Sequence, residues 1–127
     1  MTPRELAIQL VRLVNERDVD AALALFHPRA ELCFPRFAPR TVFRGGPELL
    51  EFFAWLTANL PVQTMATDRV VATDSTATVE FETAGRSQNG HDFDSTGVLV
   101  IDAHLGLIDA IRVYLDTADL ARILDVA

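Results

Sequence analysis

Three sets of side chains in this sequence can do chemistry: a pair of carboxylates, three histidines and a run of arginines. Asp92 and Asp94 stand one strand period apart, so their side chains share a face. Inside an apolar pocket, burial would raise the pKa of such a carboxyl group and suit it to acid or base work. Beside the Asn89-Gly90 turn signal, the same pair would be a solvated hairpin end. His91 adjoins them and would orient a carboxylate or shuttle a proton if it faced inward; otherwise it is a surface residue near a turn. His27 precedes Pro28 at the end of a helical pattern, where the helix dipole favours it. His104 falls in a turn. No combination of histidines and acids has metal-ligand spacing, so no metal and no cofactor is expected. Phosphate loops, nucleophile elbows and cysteine–histidine pairs are not visible either.

The arginines carry a second reading. All eleven basic residues are arginine, and Arg29, Arg36, Arg40 and Arg44 fall in one stretch that holds a single acid, Glu31. Arg36 and Arg40 lie in a proline-punctuated loop, Pro35 to Gly46. Their forked donors suit a carboxylate or phosphate, so they are candidates for an anionic end of a ligand, or else they only solvate the loop.

These residues must be positioned by the surrounding elements. Thr2, Pro3 and Glu5 form a capping-box pattern, and Leu6, Leu10, Val11, Leu13 and Val14 follow at helical spacing, which predicts a helix over 3–16. Asp18 caps a short second helix that ends near Phe26, stopped by His27-Pro28. Residues 30–35 read as a strand. Pro47 opens a third helix whose stripe is Leu49, Phe52, Phe53, Leu56 and Leu60, with Trp55 one position off it, at the edge or at a pocket mouth. From Val62 onward the pattern is β, with turns at Asp74-Ser75, Asn89-Gly90 and around Gly106. Ala77, Val79 and Phe81 alternate with Thr78, Glu80 and Glu82. Ile111, Val113 and Leu115 alternate with Arg112, Tyr114 and Asp116. The apolar sets should face a core, and the polar sets should face out. Thr117 caps a last helix to about Leu124. Helices first and strands afterwards predict an α+β fold.

Composition bounds the rest. The chain has 127 residues and is half hydrophobic, enough for one domain over 1–127 with a sizeable core. The net charge of -7 argues against nucleic acid or an anionic membrane as partner. No apolar run reaches the roughly 18 residues of a span. A single cysteine, Cys33, and no signal-peptide layout give a cytoplasmic reading. Val98 to Ile101 is apolar on both strand faces, although helices can cover only one face of a sheet. Either a second subunit covers the other, giving a homodimer through the sheet, or the terminal helix does.

The order of elements resembles a known family. Asn15-Glu16-Arg17-Asp18, Leu25-Phe26-His27-Pro28, Phe43-Arg44-Gly45-Gly46 and the ending Ile111-Arg112-Val113-Tyr114-Leu115-Asp116 are similar to the SnoaL-like polyketide cyclases. That group belongs to the nuclear-transport-factor-2-like superfamily, with ketosteroid isomerase and limonene epoxide hydrolase. The resemblance implies a conical barrel: N-terminal helices packed on a curved antiparallel sheet around an apolar pocket. It also implies where catalytic groups would stand. The aspartate that the cyclases carry after the last-strand arginine is Val113 here. The isomerase's general base is Phe34, its acidic oxyanion donor falls near Val98 and its tyrosine near Leu10. The epoxide hydrolase's arginine and aspartate fall near Val79 and Phe81. The same alignment turns the Asp92/Asp94 face inward, beside Thr96 and Val98, and makes Asp94 the remaining general base with His91 beside it.

Two functions follow from that resemblance. One is cyclase- or isomerase-type proton transfer on a small apolar, polyketide-like molecule, without cofactor. The other is a small-molecule-binding protein without chemistry, since the family's acid positions are apolar here. A purely structural dimerisation module is a third class. In either of the first two, Leu10, Phe34, Phe53, Trp55, Val79, Phe81, Thr96, Val98 and Val113 would contact the ligand body, and Arg36 and Arg40 an anionic end. The cavity expected is of the roughly 300–1,000 Å³ usual for small-molecule sites.

Overall fold

The computed structural model describes residues 1–126. Helix α1 (Pro3–Glu16) starts as its sequence dictates. The Thr2 hydroxyl accepts from the Glu5 backbone, the Glu5 carboxylate accepts from the Thr2 backbone, and Pro3 sits where its missing N–H costs nothing. Arg17 ends it in the left-handed conformation, with φ 60°. Its guanidinium donates to the carbonyls of Leu60 and Pro61, tying this corner to the exit of the third helix. Asp18 caps the short α2 (Val19–Leu23) by accepting from the Ala21 backbone.

Strand β1 (Phe26–Cys33) begins earlier than expected and runs through His27-Pro28. Its pairing with β6 is irregular between Phe26 and Glu31, and its pairing with β2 involves only Glu31–Cys33. A proline, which has no donor for a ladder, is tolerated in such a stretch. His27 therefore lies in a strand and not at a helix end. After a short β2 (Val42–Arg44), α3 (Gly45–Asn59) starts two residues before Pro47. Strands β3 (Val62–Ala72), β4 (Thr76–Arg86), β5 (Asp92–His104) and β6 (Leu107–Leu115) follow, and α4 (Thr117–Leu124) ends the chain. The cap of α4 is Asp116, not Thr117: its carboxylate accepts from the backbones of Ala118 and Asp119.

The six strands form one sheet in the order β2-β1-β6-β5-β4-β3. It differs from the expected barrel in two ways. The sheet is open, with β2 and β3 at its edges, and it is mixed, because β1 runs parallel to β6 while every other pair is antiparallel. Helix α1 crosses β3, β4 and β5, α3 lies on β1 and β2, and α4 touches β5. All three lie against the face that carries Leu32, Val79, Phe81, Leu99, Ile101 and Ile111, so the core sits between them and the sheet. No helix among the described residues is long and apolar enough to cross a membrane.

The pairing register decides which side chains face that core. Phe81 stands opposite Gly97, Val79 opposite Leu99, and Leu99 opposite Val113. Side chains of paired residues share a face, so the inward set on β5 is Phe93, Ser95, Leu99 and Ile101. This agrees with the expected faces of β4 and β6 and reverses that of β5. Asp92, Asp94 and Thr96 are exposed, and Val98 and Val100 are half-buried on the outer face. Glu80, Glu82 and Tyr114 face outward as expected, and Arg112 on the same face pairs with Asp102 at 2.8 Å.

Candidate functional site

Between the helices and the sheet lies a cavity of about 90 Å³. Helix α1 presents Leu10, Val11 and Val14 to it because these share the stripe of a 3.6-residue repeat. Helix α3 adds Phe52, Phe53 and Leu56. The strands add Leu32, Phe81, Leu99, Ile111 and Val113, and Phe34 follows directly on β1. Six phenylalanines reach this wall: 26, 34, 52, 53, 81 and 93. Phe52 packs tilted against Phe34, ring centroids 5.1 Å apart, and edge to face against Phe53 at 5.5 Å. These rings fill space that the resemblance assigned to a ligand, so the cavity is smaller than the expected range.

Of the sequence-derived candidates, Leu10, Phe34, Phe53, Phe81 and Val113 meet at this cavity. Val79 is fully buried but packs in the core and does not line the space. Trp55 lies edge-on against Phe34, ring centroids 5.4 Å apart, behind the wall.

The remaining candidates are placed elsewhere. Asp94 and Thr96 stand in solvent on the outer face, and Val98 is half-buried there. The Phe81–Gly97 pairing forces this parity, so the inward position of Asp94 is corrected. His91 Nε2 lies 2.8 Å from the Asp125 carboxylate at the far end of α4, away from the cavity wall. Arg40 pairs with Glu51 on α3 at 3.1 Å, and Arg36 stacks over the ring of Phe37 at 4.9 Å. The local positive balance of the loop is thus answered by acids of α3, together with the Arg44–Glu31 pair.

The polar groups that do reach the cavity form a row across one part of it. Gln63 on β3, Thr83 on β4, Ser95 on β5 and Asp119 on α4 all line the space, as does Asp116. Thr83 and Ser95 are directly opposed in the β4–β5 ladder. Gln63 Nε2 donates to Thr83 Oγ1 at 3.0 Å, and Gln63 Oε1 is buried without a partner. The Ser95 hydroxyl donates to one oxygen of Asp119, and Arg122 donates to the other at 2.8 Å. Arg122 also reaches the Asp92 carbonyl at 3.2 Å.

The Ser95 hydrogen bond, followed by that from Arg122, holds the Asp119 carboxyl below the usual aspartate range in spite of partial burial. It is therefore an anion at neutral pH, well placed to accept hydrogen bonds and poorly matched to removing a proton. Among the described residues no three histidine, cysteine or acidic side chains gather as a metal site would require. Sequence reasoning did not find this row. Its only local signal is a polar residue at an inward position of an apolar alternation, as with Thr83 after Val79 and Phe81.

Comparison with known proteins matches this geometry. No curated protein matches the chain at a significant level. Solved structures do. An NTF2-like protein of unknown function from Burkholderia pseudomallei K96243 superposes with a TM-score of 0.91 at 16% identity, over 98% of each chain. TerC, co-crystallised with polyporic acid, gives 0.88 at 16% identity, over 97% of this chain and 98% of that one. The epoxide hydrolase/cyclase-like enzyme SalBIII, described for pyran ring formation in the polyether salinomycin, gives 0.77 at 24% identity, over 92% of each. The helices on an open mixed sheet are thus the NTF2-like fold. A sequence model of the SnoaL-like domain matches residues 7–111, which span every element from α1 into β6. The chain belongs to the SnoaL-like domain family.

Proposed function

We propose that this protein binds a small, mainly apolar molecule in the cavity under α1, α3 and α4, and holds it without chemistry of its own. The observation that carries this reading is the composition of the wall. Of the positions where the resemblance would put an acid or base, those that reach the cavity are Phe34, Phe81 and Val113. Of the two aspartates that line the cavity, Asp119 is committed to Ser95 and Arg122, and Asp116 to the backbone of Ala118 and Asp119. TerC, with a similar fold, was co-crystallised with polyporic acid, which supports the reading of a small-molecule ligand.

The test is protein-observed NMR titration with small apolar compounds. Binding should shift the amides of Leu99 and Val113, and Val113→Phe, which fills the cavity, should weaken it. Shifts confined to the outer face of the sheet would overturn the reading.

A second reading is cyclase- or isomerase-type proton transfer, and one observation favours it: Asp119 and Ser95 are hydrogen-bonded at the cavity wall. SalBIII, an enzyme of similar fold, adds a precedent. If a bound compound were converted by the native protein and not by Asp119→Asn, as read by mass spectrometry, this second reading would replace the first.

A further inference from the structure

The polar row says which kind of small molecule the cavity suits, and this inference rests on the binding reading above. Most donors along the row are engaged. Gln63 Nε2 gives one of its two protons to Thr83, Ser95 gives its hydroxyl proton to Asp119, and Arg122 is turned to Asp119 and the Asp92 carbonyl. Acceptors are in surplus: Gln63 Oε1 is buried with no partner. Thr83 Oγ1 accepts from Gln63 and keeps its own proton, so it can still donate once. Beside them stand the carboxylates of Asp119 and Asp116. A group that offers one donor and one acceptor completes this arrangement. A hydroxyl does so, whereas an ammonium offers only donors and a carbonyl only acceptors. A carboxylate or phosphate would also meet two like charges.

We infer that the cavity takes a neutral molecule with an apolar body and a hydroxyl group, the hydroxyl donating to Gln63 Oε1 and accepting from Thr83. This departs from an anionic ligand read from Arg36 and Arg40, which the structure turns to Phe37 and Glu51. The cost of leaving a buried acceptor unpaired explains the selectivity: an isostere without the hydroxyl leaves Gln63 Oε1 as it is, and an acceptor-only group can take the Thr83 proton but still leaves Oε1 unpaired.

Phenol, toluene, benzaldehyde and benzoate form a matched probe series. A cavity that holds benzene measures about 150 Å³, so a single ring is the largest body to test, and seating it requires the wall to give. Titrations of the full chain followed by NMR should give phenol a dissociation constant about tenfold below that of toluene, the size of effect one hydrogen bond gives. Benzaldehyde and benzoate should bind less well than phenol. In Gln63→Met the ratio of phenol to toluene affinity should fall to about one. Thr83→Val, which keeps the shape of the side chain, should weaken the preference too, and carries the test if Gln63→Met does not fold. Equal binding of phenol and toluene would overturn the inference and leave the binding reading standing. So would a preference for benzaldehyde or benzoate. No binding by any of the four would overturn both.

Discussion

The ring of Phe81 closes directly over Gly97, on the strand beside it. A Cβ on Gly97 would stand 2.6 Å from Phe81 Cζ and 2.7 Å from Leu115 Cδ2. Both distances are below any real contact of such atoms, and the nearby Tyr114 carbonyl at 2.8 Å is backbone that cannot rotate away. Phe81 and Leu115 both line the cavity, so the bare strand at Gly97 lets them settle there. Gly97→Ala should lower stability by roughly 1–3 kcal/mol, as overpacking does, measured by denaturant unfolding. It should also shift the Phe81 ring resonances. An unchanged midpoint would mean that the strand yields freely at this point.

The acid limb of stability should carry the signature of Asp119. Its pKa is depressed in the folded state by Ser95 and Arg122. A depressed carboxyl stabilises the fold above its unfolded pKa, about 3.9, and that stabilisation is lost as the pH falls through the lower folded value. Asp102, held down by Arg112, adds in the same direction. Unfolding followed from pH 6 to pH 2 should therefore show a loss that is smaller in Asp119→Asn than in the native protein. Parallel curves would remove Asp119 from the account.

Asp94 should be dispensable. It stands in solvent on the outer face, and surface substitutions of this kind fall within about 0.5 kcal/mol of neutral. Asp94→Asn should leave both the unfolding midpoint and the binding of small probes unchanged. A clear loss of binding would mean that the inward face of β5 is the other one in solution.

We propose that the outer face of the sheet pairs with a second copy of the chain. Leu99 and Ile101 belong to the chain's own core, so the basis for this proposal is now Val98 and Val100, both half-buried, with Tyr114 55% exposed beside Val98. Sedimentation at micromolar concentration should give about twice the 14.0 kDa of one chain, and Val100→Asp should return it to one. A single-chain species in the native protein would refute the pairing.

Particular residues show what the sequence made legible. The faces of β4 and β6 could be read because Val79 and Phe81, and Ile111 and Val113, alternate with charged partners. The face of β5 could be read in the same way, since Phe93 separates Asp92 from Asp94 and leads in step to Leu99 and Ile101. Placing Asp94 inside by resemblance overrode that alternation, and a shift of one residue exchanges every side chain between the faces. Strand β2 was out of reach because its three residues are held by the Glu31–Arg44, Leu32–Phe43 and Cys33–Val42 pairings and have no period of their own. The polar row was out of reach for a different reason. Gln63, Thr83, Ser95 and Asp119 come from four elements, and only the ladder and the docking of α4 bring them together.

The parallel pairing of β1 with β6 sets an order of events for a chain made from its N-terminus. Leu32 finds its neighbour on one side in Phe43, a few residues on, but its other neighbour is Ile111. Until Leu107–Leu115 has emerged, β1 and β2 have no route into the sheet, and α3, which rests on them, has no platform. The meander β3-β4-β5 closes through local turns and can form first, whereas joining the two halves requires closure of a long loop, which slows folding. During that interval the phenylalanines of α3 can meet Phe26, Phe34 and Phe43 but not the rest of the sheet, so the half-made protein exposes part of the aromatic surface that later walls the cavity. Removing β6 should leave a species that needs a chaperone, not a smaller folded domain.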